Sequence, residues 1–142
     1  MPDILVASDA ASVIDEVTAA VGGSGTTVRS VSSGLDVVPA IRDQLPDLAV
    51  LDLQIGNMGG VATCLNLRLE QDAGRVGQVP VLLLLDRRAD VFLARRSGAD
   101  GWVIKPLDPL RIRRAVDALL AGDTYVDPTA APPASVPAAP LG

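Results

Sequence analysis

Short apolar runs recur along the chain, and several are closed by a charged residue. Ile4-Leu5-Val6-Ala7 leads to Asp9, Leu48-Ala49-Val50-Leu51 to Asp52, and Trp102-Val103-Ile104 to Lys105. Unbroken runs of this length predict strands covered on both faces, the pattern of a parallel sheet. Strands are predicted over 3–8, 27–31, 47–52, 80–85 and 101–105, with helices at about 12–21, 34–44, 60–71 and 89–97 and a last one from Pro109 to just before Gly122. Ser12 with Asp15 three residues on reads as the opening of the first helix. Pro46 ends the second, because its ring disfavours helix in the residue before it. Asp108-Pro109 supplies an N-cap and a proline at the first helical position.

Five strand–helix units in this order predict an α/β protein with helices on both faces of a parallel sheet. If the three charged-ended strands lie side by side, Asp9, Asp52 and Lys105 meet at the carboxyl edge of the sheet, where open α/β sheets bind ligands. Two close carboxylates repel unless a cation compensates, so the group implies a divalent metal, with Lys105 left to face an anion.

Composition narrows the chemistry. The chain has 142 residues, 49% hydrophobic and 2% aromatic, which suits one domain with an aliphatic core. The net charge of −5 argues against general nucleic-acid binding, but the basic residues are unevenly placed. Residues 87–114 hold eight of the twelve, namely Arg87, Arg88, Arg95, Arg96, Lys105, Arg111, Arg113 and Arg114, against Asp90, Asp100 and Asp108. Such a concentration reads either as a solvated face or as a partner face for an acidic protein surface. The chain contains no histidine, which removes histidine catalysis and histidine metal ligands. The lone Cys64 excludes an internal disulfide and suits a reducing cytoplasm. Met1-Pro2-Asp3 leads into a strand with no basic region, so no signal peptide is expected, and Val79–Leu85 is too short to span a bilayer. Gly22-Gly23-Ser24-Gly25-Thr26-Thr27 lacks the lysine of a phosphate loop and lies between helix and strand in the wrong order, so it reads as a turn. Asp127 to Gly142, rich in Pro, Ala, Ser and Thr, cannot bury enough surface to order itself and is expected to be flexible.

Pro46-Asp47-Leu48-Ala49-Val50-Leu51-Asp52-Leu53-Gln54 with Met58-Gly59-Gly60 resembles the phosphoacceptor segment of response-regulator receiver domains. Gly98-Ala99-Asp100-Gly101-Trp102-Val103-Ile104-Lys105-Pro106-Leu107 resembles the fifth-strand motif of the same family. The resemblance covers residues 3–121 and implies a flavodoxin-like, doubly wound five-stranded sheet of order 2-1-3-4-5 flanked by five helices. It divides the chain into a receiver over 1–122 and a linker-like segment with a disordered Pro/Ala-rich tail over 123–142. It also implies that Asp52 accepts a phosphoryl group from a histidine kinase or phosphotransfer protein, and that Asp9, Asp52 and the Gln54 carbonyl hold Mg²⁺ weakly, with Ser8 contributing through water. Lys105 would meet a phosphoryl oxygen, across a cis Lys105–Pro106 peptide.

The chain departs from that pattern at several places. Ser8-Asp9 stands where two acids are usual, and Gly56 where a proline is usual. Leu85 occupies the switch position that normally carries a hydroxyl, Asp86 follows where a small residue is usual, and Trp102 takes the place of the coupled tyrosine or phenylalanine. A carboxylate at 86 would repel an incoming phosphoryl group. Two readings follow: a single-domain response regulator of a two-component phosphorelay that signals by protein–protein contact, or a docking module that works without phosphorylation. Neither is an enzyme beyond self-catalysed phosphotransfer and autodephosphorylation. Both are cytoplasmic, with no membrane association and no direct DNA binding, and both leave a homodimer open. A flavin carrier of the same fold would need a phosphate loop after the first strand, and Ser8-Asp9-Ala10-Ala11-Ser12 has no glycine.

Overall fold

The computed structural model describes residues 2–23, 25–56 and 58–127. Its elements run β1 (Asp3–Ala7), α1 (Ala11–Val21), β2 (Thr27–Val31), α2 (Val37–Asp43), β3 (Leu48–Asp52), α3 (Gly60–Asp72), β4 (Val81–Leu85), α4 (Val91–Arg96), β5 (Gly101–Ile104), α5 (Pro109–Leu120) and β6 (Tyr125–Val126). The strands form one parallel sheet of order β2-β1-β3-β4-β5-β6. β3 and β4 are buried at every position, as fully apolar runs in a sheet covered on both sides should be.

Two aliphatic cores flank the sheet. On one face Val13, Val17 and Val21 of α1 meet Ile112, Ala115, Val116 and Leu119 of α5 over Ile4, Val6, Leu48, Val50, Leu82, Leu84 and Val103. On the other, α2, α3 and α4 bring Val37, Ile41, Cys64, Leu67 and Ala94 onto Leu5, Ala7, Leu51, Leu83, Leu85, Trp102 and Ile104. The even and odd residues of each strand divide between these cores, the period-2 alternation of a pleated sheet.

The expected strand order holds for the first five strands, and a sixth is added. Tyr125–Val126 pairs with Gly101 and Trp102 on the outer edge of β5. Gly101 admits it, since a β-carbon there would lie 2.8 Å from the Tyr125 carbonyl oxygen and 3.0 Å from a Leu119 methyl. The next residue, Asp127, is fully buried. Its Oδ2 accepts the Ile104 N–H at 2.8 Å, and the Arg111 guanidinium lies 3.0 Å away. The expectations of five strands and of a flexible segment starting at Asp127 are therefore corrected, since 125–126 pair with β5 and Asp127 is buried. Two apolar residues are too short a run to stand out as a strand, and the buried ion pair that holds them is a tertiary contact. The rest of the expected tail, from Pro128 onward, lies outside the described residues.

Local openings also differ from expectation. α1 begins at Ala11 with Ala10 as an uncapped N-cap, so Ser12 lies inside the helix. The hydroxyl in use there is that of Ser8, which accepts the Ala10 N–H at 3.1 Å. α2 and α4 are each preceded by a 3₁₀ turn, Gly34–Asp36 and Arg88–Asp90. α5 starts as expected, with the Asp108 carboxylate accepting the Leu110 N–H at 3.1 Å and Pro109 at the first position. No helix among the described residues is long and apolar enough to cross a membrane.

Candidate functional site at the carboxyl edge of the sheet

Register brings the predicted residues together. Ala7 pairs with Leu51, Asp52 with Leu84 and Leu85 with Ile104, so the residues that follow these strands emerge at one edge in the order β1, β3, β4, β5. Gly60 keeps the edge compact, since a β-carbon there would meet the Asp52 carbonyl oxygen at 2.5 Å.

Asp52 is 2% exposed and accepts from three donors. Its Oδ1 accepts the Lys105 ammonium at 2.7 Å and the Gln54 N–H at 3.2 Å. Its Oδ2 accepts the Ser8 hydroxyl at 2.8 Å. A buried carboxylate is tolerated when charge and hydrogen bonds compensate its desolvation, and Asp52 has both. Lys105 reaches it across the cis Lys105–Pro106 peptide. Burial works against the Lys105 ammonium, but the hydrogen bonds and charges of Asp52 and Asp86 outweigh it and raise the pKa.

Asp9 is exposed, and Gly56 lies against it closely enough that a β-carbon would come within 3.1 Å of Oδ2. Glycine at 56 therefore gives this carboxylate room beside the loop that follows β3. Ser8 is fully buried and committed to Asp52 and the Ala10 N–H, which places it as a ligand to the acid. Asp9, Asp52 and the Gln54 backbone supply hard oxygen donors from two adjacent loops, the donor chemistry of a small divalent cation. Among the described residues no three acids converge as a ligand group. The Asp9 and Asp52 carboxylates and the Gln54 carbonyl are the oxygen atoms of this edge whose chemistry suits such a cation.

Leu85, at the predicted switch position, is fully buried in the core shared by α3, α4 and Trp102 and offers the site no polar atom. Trp102 is also buried, its indole N–H has no hydrogen-bond partner, and the Arg95 guanidinium lies 5.7 Å from its ring centre. From the sequence, Asp86 is expected only to repel a phosphoryl group. In the structure it forms an ion pair with Lys105 at 3.0 Å, so the ammonium is shared by two carboxylates. The signal that could have revealed this was the acid directly after the fourth strand, beside a strand that ends in lysine.

The predicted basic face divides. Arg95 and Arg96 on α4 and Arg113 and Arg114 on α5 are exposed, with Arg96 over the exposed Phe92 ring and Arg113 near Asp117. Arg88 is exposed, and Arg87 pairs with Asp90 at 3.3 Å. Arg111 turns inward to Asp127 and Asp108 and is removed from the face. β6 covers the β5 edge between the two helices. Asp100 of the fifth-strand motif lies at the opposite end of the sheet, accepting the Val81 N–H and Arg68. A groove lined by Arg68, Gln78, Gly98 and Asp123 is at that end too, away from Asp52.

A family model described as the response regulator receiver domain matches residues 4–117. The chain is 34% identical over 119 residues to the DNA-binding response regulator MtrA of Mycobacterium tuberculosis, covering 82% of this chain and 50% of that protein. It is 34% identical over 111 residues to the transcriptional regulatory protein CseB of Streptomyces avermitilis, covering 76% and 45%. The chain thus spans about half the length of these curated relatives. Among solved structures, the receiver domain of a signal transduction histidine kinase from Syntrophus aciditrophicus aligns with a TM-score of 0.74 at 26% identity, covering 86% of this chain and 92% of that one. A LuxR-family response regulator from Aurantimonas aligns with a TM-score of 0.78 at 23% identity, covering 92% of each chain, a likeness of fold.

Proposed function

Since the chain belongs to the response regulator receiver domain family, the receiver of two-component signalling, we propose that it accepts a phosphoryl group on Asp52 and signals by protein contact. The observation that supports this most is the Asp52–Lys105 pair at 2.7 Å on the carboxyl edge of the sheet. An Asp52 oxygen attacks phosphorus, the bond from phosphorus to the kinase or phosphotransfer imidazole breaks, and the released nitrogen keeps the electron pair. Lys105 meets the charge on the transferring oxygens, and strand ends hold both groups rigidly enough for that charge to be stabilised. Asp9, Asp52 and the Gln54 carbonyl would hold Mg²⁺, which neutralises phosphoryl charge when bound. Ser8, one acid short of the usual pair, leaves that site weak and in return fixes the Asp52 carboxylate.

The surface that supports partner contact is formed by α4, α5 and β6, with Arg95, Arg96, Arg113 and Arg114 exposed for an acidic partner. The DNA binding in the name of MtrA belongs to that protein, and for this receiver we assign a protein partner, in the cytoplasm. Leu85 favours a second reading, docking without a phosphorylation switch, because no hydroxyl at 85 links the acid site to Trp102.

Intact mass after incubation with Mg²⁺ and acetyl phosphate separates the two. One added phosphoryl group, absent in Asp52→Asn, supports acceptance. No adduct in the presence of saturating Mg²⁺ supports docking.

A further inference from the structure

We propose that Asp86 is a positioning residue that competes with the phosphoryl group for Lys105 and thereby sets how tightly the site holds a phosphoryl anion. The inference rests on the phosphoacceptor reading and specifies its energetics. The Lys105 N–H donates to the Leu85 carbonyl at 2.8 Å, which sets residue 86 beside residue 105. Asp86 Oδ1 then lies 3.0 Å from the Lys105 ammonium, while Asp52 Oδ1 is 2.7 Å from it.

The two carboxylates do not depend on that ammonium equally. Asp52 also has the Ser8 hydroxyl and the Gln54 N–H. Asp86 Oδ2 is buried and accepts no hydrogen bond, so the Lys105 contact carries its compensation. Drawing Lys105 toward a phosphoryl oxygen would strip the charge partner from a partly buried carboxylate, which is costly. The remaining Asp86 charge would in addition repel the phosphoryl dianion across the same few ångströms. Both effects oppose phosphoryl binding, and neither opposes Mg²⁺ on the Asp9 side.

That opposition in sign is the test. Calorimetric titration of the full chain with Mg²⁺ alone, and with Mg²⁺ plus beryllofluoride, is compared for the natural protein, Asp86→Asn and Asp86→Glu. Asp86→Asn is nearly isosteric and keeps an oxygen for Lys105. It should bind beryllofluoride about tenfold or more tightly, one unit of charge-neighbour effect being a factor of ten. Its affinity for Mg²⁺ alone should stay level or fall, because a nearby negative charge is lost. Asp86→Glu keeps the charge and should keep the weak beryllofluoride binding. A general loosening of the site would move both affinities the same way, and that result overturns the inference. Equal beryllofluoride affinity in the natural protein and Asp86→Asn also overturns it, while leaving phosphoacceptance intact. Failure of every form to bind beryllofluoride would overturn the phosphoacceptor reading together with it.

Discussion

The Ser8 hydroxyl donates to Oδ2 of Asp52 at 2.8 Å, filling the side of the acid opposite Lys105. That bond holds the Asp52 carboxylate still, and under the proposed function it does so at a position where a second acid would strengthen cation binding. Ser8→Asp should supply that acid. Affinity for Mg²⁺ should rise by about tenfold or more, since the charge on the oxygen ligands sets the strength of such sites. Without Mg²⁺ the new carboxylate would be buried against Asp52 and should lower the melting temperature, with Mg²⁺ restoring it. Calorimetry and thermal melting with and without Mg²⁺ read both effects.

The Asp127 anchor gives a stability expectation. Asp127→Ala removes the acceptor of the Ile104 N–H and leaves Arg111, a largely buried cation, with Asp108 at 3.5 Å. Breaking a buried pair on one side costs about 3–5 kcal/mol. Urea unfolding should show a loss near the lower end of that range, because Arg111 keeps its contact with Asp108. A change under about 0.5 kcal/mol, the level of a neutral surface substitution, would mean that β6 adds nothing to the fold.

The five main strands were legible because runs such as Leu48–Leu51 and Val81–Leu85 are unbroken and apolar, their order because two segments resemble a receiver, and the Asp52–Lys105 pair because each residue closes such a run. β6 was not, since Tyr125-Val126 is too short to carry a period. Yet Tyr125-Val126-Asp127 repeats in miniature the apolar run closed by an acid seen in β3. The inward turn of Arg111 and the Asp86–Lys105 pair were hidden for another reason. Charge density along the chain does not say which arginine faces solvent or which acid captures a lysine, because those outcomes depend on strand register and helix rotation.

The buried Leu85 makes Trp102 a reporter of coupling. Its indole is buried in the same core as Leu85 with no hydrogen-bond partner, so a shift of the fourth strand end should alter its emission. Mg²⁺ with beryllofluoride should produce a weak change in the natural protein and a larger one in Leu85→Thr, which restores a hydroxyl. That variant should also lose about 2–3 kcal/mol of stability, from the cavity and the newly buried hydroxyl. A strong shift in the natural protein would reveal a route that does not need the hydroxyl.

Lys105 sets an alkaline limit. Its folded pKa is raised, so the folded state holds its proton more firmly than the unfolded chain does. The stabilisation it brings is complete below the ordinary lysine value of 10.5 and is lost as pH rises through the folded pKa. Tyr125, raised by burial and by Asp127, acts in the same direction above its ordinary value of 10.0. Stability from urea titrations should therefore be insensitive to these groups from neutral pH to about 9.5 and fall above it. The fall should be shallower in Lys105→Gln, and an equal slope in that variant would contradict the assignment.

Chemical trapping reads whether Asp52 accepts the phosphoryl group. An acyl phosphate is reduced by borohydride to an alcohol, whereas a free carboxylate is not, so a phosphorylated aspartate is converted to homoserine. The protein is incubated with Mg²⁺ and acetyl phosphate, treated with borohydride, digested and mapped by tandem mass spectrometry. The expected result is homoserine at position 52, and at no other aspartate, dependent on both phosphodonor and Mg²⁺. Homoserine at Asp9 or Asp86, or none anywhere after saturating treatment, would contradict it.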